Sequence, residues 1–368
     1  MSAEPRFPTI GDGSGLDATD RLYPEELQLA SRNKALPLEG LRYDVTPVGL
    51  HYTLVHYDIP DVEADTWRLT IGGRVRRPLT LSFAELQQRP ARTLRVTLEC
   101  AGNGRALLAP RPVSQPWLTG AVGTAEWTGT PLRPLLEEAG LGEDVGEIVF
   151  TGHDRGYEGG VEQEYQRSLP LQDALHNDVI LAWAMNGAPL EPQHGYPVRL
   201  VVPGWYGMAH VKWLRAIEAS TAPFAGYHQA VAYRYSQART EPGEPVTLLR
   251  VRSLMIPPGI PDFLTRVRVV RRGQVALHGR AWSGQAAITR VEVSADGGAS
   301  WAAAAVDAPP GPYCWQAWRY VWEATDPGEY ELCCRAHDSA GNVQPVEQYW
   351  TARGMGNNMA QRVRVQVV

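Results

Sequence analysis

The chain has 368 residues, with 35 Lys and Arg against 40 Asp and Glu, a formal charge of −5, and 44% hydrophobic residues. A peptide scaffold is excluded, and two or three globular domains are expected. There is no global basic field to hold nucleic acid, and no run of about 18 apolar residues to cross a membrane.

The N-terminal stretch MSAEPRFPTIGDGSGL has no charged region followed by an apolar core and no twin-arginine pair. A cytoplasmic chain is expected, although a processed periplasmic form would read the same. Four cysteines, two of them adjacent at Cys333 and Cys334, are too few for a disulfide scaffold and point to reduced thiols.

Residues 1–40 are polar and rich in Pro and Gly, an N-terminal arm with one helical candidate, PEELQLASR, at 24–32. From Thr46 onward YTLVHYDI, WRLTIGG, LRVTLEC, EIVFTG, VILAWAMNG and PVRLVVPG read as strands, with FAELQQR and PLRPLLEEAG as helices. This is a mixed α/β domain over residues 1–246. No GxGxxG opens a helix, so NAD binding is not expected.

From residue 247 the pattern becomes VALHGRAWSG, ITRVEVSADGGASW, WQAWRYVWEA, GEYELCCRAHDSAG and RVRVQVV, divided by Gly, Asp and Pro turns. Residues 247–368 are therefore expected to form an all-β sandwich of immunoglobulin size, and the whole chain is of the α+β class. Cys314 and Cys333 are too close in sequence for the inter-sheet disulfide of antibody domains.

RVTLECAGNGR places Cys100 at a strand mouth, beside flexible backbone and Arg105, a setting that favours the thiolate. HGYPVRLVVPGWYGMAHVKW holds Arg199 in an apolar run, and a buried arginine needs an anionic partner. With His194 before it and His210 and Lys212 on the expected next strand, the cations converge on a phosphate or similar anion; an internal salt bridge is the alternative. His51 and His56, on opposite faces of the expected strand, make a poor metal pair, and HExxH and paired CxxC motifs are absent. The tyrosines of FAGYHQAVAYRY read as packing aromatics on a surface loop, and the C-terminal tryptophans as sandwich core.

TLECAGNGR resembles the molybdenum-binding motif of the sulfite oxidase family, which includes assimilatory nitrate reductases. TPVGLHYTLVHYDIP, MNGAPLEPQHGYPVRLVVPG, AWSGQAAITRVEVSADGGASW and DSAGNVQP resemble its other segments in the family's order, over residues 32–368. The resemblance implies a molybdopterin-binding domain and a dimerisation domain, hence a homodimer. Cys100 would ligate molybdenum. Arg105 would face the substrate oxyanion, with Trp117 lining its pocket and Tyr233 as the active-site tyrosine. His56, Asn103, His194, Arg199, His210 and Lys212 would bind the pterin and its phosphate. The implied reaction is oxo transfer to sulfite, giving sulfate.

Two positions depart from the family pattern: Leu54 and Ala209 stand where arginines are usual. Losing a charged hydrogen bond costs about 1.5–3 kcal/mol unless another residue substitutes, and Arg155, Arg167 or an arginine of the sandwich are candidates. No haem or flavin domain accompanies the motifs, so an external acceptor, a cytochrome or oxygen, is expected. Reduction of a sulfoxide or nitrate, a non-catalytic cofactor-holding interaction protein, and a hydrolase with Cys100 as nucleophile remain alternatives.

Overall fold

The computed structural model describes residues 22–284 and 286–368, so the arm expected over 1–40 is described only from its residue 22. Helix α1 (Pro24–Arg32) forms where the local signals predict it: Pro at its first turn, Glu25 and Glu26 at its N-terminus and Arg32 in its last turn. No helix among the described residues is long and apolar enough to cross a membrane.

The first domain is built on two sheets. In one, β1 (Arg68–Gly73) pairs in parallel with β10 (Leu214–Ser220) and antiparallel with β2 (Leu79–Ser82), while β5 (Glu147–Glu158) and β6 (Val161–Pro170) extend the order β2-β1-β10-β5-β6. In the other, β3 (Arg92–Glu99), β4 (Val122–Pro131), β7 (Ile180–Met185) and β8 (Ala188–Pro189) run in that order, with β9 (Arg199–Val201) also on β7. Three short helices follow strands β2, β4 and β6: α2 (Phe83–Gln87), α3 (Leu132–Ala139) and α4 (Leu171–Ala174). α3 buries Leu132, Leu135, Leu136 and Ala139, a 3.6-period face.

One expected strand is absent and another begins later than expected. YTLVHYDI (52–59) is irregular: it follows a one-turn helix at Val48–Leu50, and its only β-bridge among the described residues is between Lys34 and Thr53. Pro47 and Pro60 flank it, and its bonding is to distant side chains, such as Val55 N–H to Asn33 Oδ1 at 2.8 Å. His210 and Lys212 likewise precede β10 rather than lying in a strand.

The C-terminal sandwich sets one antiparallel sheet (Arg252–Met255, Gly273–Trp282, Gln316–Ala324, Ala305–Val306) against a second built around Gln361–Val367, Gly328–Asp338 and Ile288–Ser294. Met255, Leu277, Val291, Trp318, Trp322, Leu332 and Val365 fill its core. Trp282 and Trp315 are an exception to the expected role of the tryptophans. With Leu254 and Met355 they join the core of the first domain, so the two domains share one apolar seam. All four cysteines are free.

Candidate functional site

A cleft of about 600 Å³ opens where the C-terminal end of β3, the irregular segment before β1 and the loops around β9 meet; Cys100, His56, His194, Arg199, Lys212 and Tyr233 all line it. Residues distant in sequence converge because β3 and β9 flank β4 and β7 in the same sheet. Among the described residues there is no cluster of three or more His, Cys, Asp or Glu able to hold a metal ion. A metal bound at Cys100 would therefore have to bring most of its ligands with it.

Cys100 follows β3 and is 6% exposed. Burial pushes its thiol up, against the pull of Arg105, the Gly102 N–H and Trp117. The expected help from flexible backbone and a cation is present, but in the chain alone burial outweighs it. The Trp117 indole N–H acts on the Cys100 sulfur and has no other partner.

Arg105 begins a one-turn helix and is packed between two glycines. A Cβ at Gly102 would fall 2.5 Å from its Nη2, and one at Gly354, where φ is +63°, 2.6 Å from its Cγ. Its Nε donates to Arg353 O at 3.0 Å and its Nη1 to Gln115 O at 3.0 Å. Nη2 meets Met355 Sδ at 3.5 Å. Arg105 and Trp117 thus stand behind Cys100 rather than in the cleft wall.

Asn103 does not reach the cleft. Its Nδ2 donates to Glu99 Oε1 at 2.9 Å and its Oδ1 accepts from Ala121 N–H at 3.0 Å, so it clamps the Cys100 loop. His210 lines the cleft, but both ring nitrogens are engaged by backbone: Nδ1 accepts from Val202 N–H at 3.1 Å, leaving Nε2–H for Trp205 O at 3.1 Å.

The far end of the cleft is cationic. Arg199 donates to His194 O at 3.0 Å and His210 O at 3.3 Å and lies 4.7 Å from the centroid of the Trp127 ring. Its Nε has no partner. The salt-bridge alternative does not occur: no carboxylate pairs with Arg199 among the described residues. Burial lowers its pKa to about 10.

Lys212 donates to Leu54 O at 2.7 Å and Gln193 O at 3.0 Å, so Leu54 contributes its carbonyl where a cationic side chain was looked for. Gly195 (φ +104°) allows the two cations to approach, since a Cβ there would lie 3.0 Å from Lys212 Cβ and 3.1 Å from Arg199 Cβ. Buried Asp154 faces the same space with Oδ1 unpartnered, its pKa raised by burial while that of Lys212 is lowered by burial. Unpaired buried donors around an open space are what an anionic group would satisfy.

At the other wall Tyr233 Oη and His56 Nε2 are 2.6 Å apart. Burial holds the His56 imidazole neutral, with a pKa of about 3, and raises that of Tyr233. The pair is thus a hydrogen bond between a neutral imidazole and a neutral phenol, its direction set by the His56 tautomer. Tyr233 is buried, not a surface aromatic, because a single π-type turn (His228–Ala232) carries it inward.

Sequence reasoning missed His51, Tyr52, Asp154, Tyr165 and Gln193, which also line the cleft. For His51 the signal was there: with His56 it frames a segment whose two histidines share one cavity once no strand separates their faces.

Two family models match the chain: an oxidoreductase molybdopterin binding domain over residues 56–228 and a Mo-co oxidoreductase dimerisation domain over 245–368. It is 38% identical over 339 residues to sulfite oxidase of Gallus gallus, covering 84% of this chain and 71% of that one. To mitochondrial sulfite oxidase of Rattus norvegicus it is 34% identical, covering 88% of this chain and 62% of that one. To NADH nitrate reductase 1 of Oryza sativa subsp. japonica it is 32% identical over 100% of this chain but 44% of that protein's length. Among solved structures, the sulfane dehydrogenase SoxCD from Paracoccus pantotrophus aligns with a TM-score of 0.76 at 29% identity, over 88% of this chain and 81% of that chain. A molybdopterin-binding model on the cleft domain, a dimerisation model on the sandwich and a sulfite oxidase matched across most of both lengths show that the chain belongs to the sulfite oxidase family of molybdenum-cofactor oxidoreductases.

Proposed function

We propose that this chain oxidises sulfite to sulfate at a molybdenum cofactor held in the cleft and passes two electrons to an external acceptor, a cytochrome or oxygen. The observation that carries the reading is the pairing of one thiol, Cys100, with buried Arg and Lys groups in one cleft, where Arg199 lacks any carboxylate among the described residues. The cofactor, when bound, supplies the transferred oxygen atom and takes up the electrons.

Cys100 is the proposed metal ligand, a soft thiolate suited to a redox metal. Arg199, Lys212 and His194 would meet the pterin phosphate, with His210 and Asn103 fixing the loops beneath them. Arg105, set behind Cys100 with no carboxylate partner among its hydrogen bonds, would place positive charge where the substrate oxyanion sits. Trp117 would close the pocket beside the thiol. Tyr233 is bonded to the neutral His56 imidazole, a site for a proton given up as water is consumed. The dimerisation model over the sandwich supports a homodimer, and four free thiols fit a reducing compartment such as the cytoplasm.

The test is sulfite turnover with ferricyanide and with cytochrome c, on protein whose molybdenum content has been measured. Wild type is expected to turn over. Cys100→Ser is expected to lose at least about a thousandfold in kcat while keeping its fold and pterin, since serine offers a hard oxygen in place of the thiolate. A fully loaded wild type inert to sulfite but active on nitrate or a sulfoxide with reduced viologen would replace sulfite as the substrate, and an active Cys100→Ser would remove the metal-ligand role.

A further inference from the structure

Arg167 sits on β6, 1% exposed, beneath the wall of the cleft. Its guanidinium carbon lies 5.4 Å from the centroid of the Tyr233 ring, and one terminal nitrogen donates to His228 O. Its Nε has no partner. The other groups that act on its charge are Tyr165, Tyr233 and Arg234, none of them a carboxylate. Three buried arginines elsewhere are matched with acids, Arg111 with Glu26, Arg252 with Glu99 and Arg280 with Asp44, and Arg268 has three backbone carbonyls, whereas Arg167 has one. Removing a cation from water without a counter-charge is costly, and packing alone would be served better by an apolar side chain of similar length.

Strand β6 packs against the one-turn helix Gly207–Ala209, where Tyr165 Oη donates to Met208 O at 2.9 Å. The buried Ala209 in that turn, and Leu54, which lines the same cleft as Tyr233, bring no cation. Arg155, another candidate, is excluded: its side chain is 72% exposed and engaged with Glu162. We propose that Arg167 is the buried counter-charge for the anionic substrate, acting across the Tyr233 ring to favour an oxyanion in the cleft in place of the arginines absent at Leu54 and Ala209. Arg167 is a positioning residue: it touches Tyr233 and the π-turn carbonyl, and its field, together with that of Arg105, brackets the phenol. Substrate affinity therefore depends on the charge at position 167 more than the chemical step does.

The proposal rests on the reading of a small oxyanion as substrate, and its test separates the two. Arg167→Met and Arg167→Lys are compared with wild type at matched molybdenum content, by sulfite KM and kcat and by calorimetric titration with sulfate, which needs no turnover. The expected result is a KM and a sulfate Kd raised about tenfold or more in Arg167→Met, the worth of one charged interaction, with kcat changed by less than about threefold. Arg167→Lys is expected to restore most of the affinity.

Sulfate affinity equal to wild type in folded Arg167→Met overturns the proposal. So does Arg167→Lys binding as weakly as Arg167→Met, because a merely structural role would not track charge. If Arg167→Met does not fold, Arg167→Gln takes its place under the same criteria. Should wild type fail to oxidise sulfite while sulfate affinity still falls in Arg167→Met, the substrate reading fails and the role of Arg167 stands.

Discussion

Glu99, the residue before Cys100, accepts three hydrogen bonds: Oε1 from Asn103 Nδ2 at 2.9 Å and Arg252 Nη1 at 2.8 Å, and Oε2 from the Trp282 indole N–H at 2.8 Å. Glu99 and Arg252 are each 1% exposed, so this is a buried ion pair, and two of its three donors come from the sandwich. A motif residue that looks like a cofactor ligand, Asn103, proves to be part of the clamp holding the thiol. A run of letters does not tell a side chain that faces the cleft from one that fixes the loop beside it. Glu99→Gln leaves the Arg252 charge buried and is expected to cost about 3–5 kcal/mol in urea-induced unfolding, with lower molybdenum content because the Cys100 loop loosens. The double variant Glu99→Gln/Arg252→Met, which removes the stranded charge, should recover part of that stability. A single variant as stable as wild type would mean that the pair contributes nothing to the seam.

At the scale of elements, α1 ties remote parts of the cleft domain together. Glu26 on its inner face pairs with Arg111 and accepts Ser114 N–H at 3.1 Å. At the helix end Asn33 bonds Gln115 Oε1 at 2.8 Å and Val55 N–H at 2.8 Å. The helix is therefore a strap from the 111–115 loop to the segment that carries His56. It was legible because proline, acidic first turn and basic last turn are local signals. The segment it holds was not: YTLVHYDI alternates like a strand, yet its backbone partners come from the strap and not from a neighbouring strand. The same limit hid Tyr165 and left Arg167 one candidate among several, since the alternation of EQEYQRSL fixes two faces without saying which one meets Tyr233. Burial alone would raise the Glu26 carboxyl, but hydrogen bonds from Arg111, Tyr23 and Ser114 outweigh it and lower its pKa. A lowered carboxyl stabilises the fold above its unfolded value of about 4.5 and loses that contribution as pH falls through the folded value. Glu26→Gln is thus expected to raise amide exchange in α1 and the 111–115 loop at pH 7, and wild type to approach that exchange pattern towards pH 4. Equal protection in both proteins at pH 7 would show that the strap does not depend on the pair.

At the scale of the molecule, a chain of net charge −5 keeps Arg199 in its cleft without a carboxylate partner among the described residues, while apolar residues from both sides of residue 247 form one seam. Hydrophobic period and helix content change near residue 247, close to where the match to the dimerisation model begins at 245. The seam was not legible, because Trp282 and Trp315 follow the same strand pattern as Trp318 and Trp322. The cleft also collects four histidines that burial keeps neutral: His51 at about 4, His56 at about 3, His210 at about 3 and His194 at about 2. Each has an unfolded pKa near 6.5, so between that value and its folded one the unfolded chain binds a proton that the native chain refuses. Stability therefore falls as pH drops below about 6.5, by on the order of 1.4 kcal/mol per pH unit for each histidine fully buried as neutral imidazole. Urea midpoints at constant ionic strength are expected to change little from pH 8 to 7 and to fall steeply from 6.5 to 5.5, with His51→Gln making the decline shallower by about one histidine's share. His51 is the informative choice because burial is the largest cause of its lowered pKa, while the bond of its Nδ1 to Tyr52 O at 2.9 Å works the other way. A midpoint that holds constant from pH 8 to 5.5 would mean that the histidines take up protons in the folded state and that their burial in the cleft does not keep them neutral.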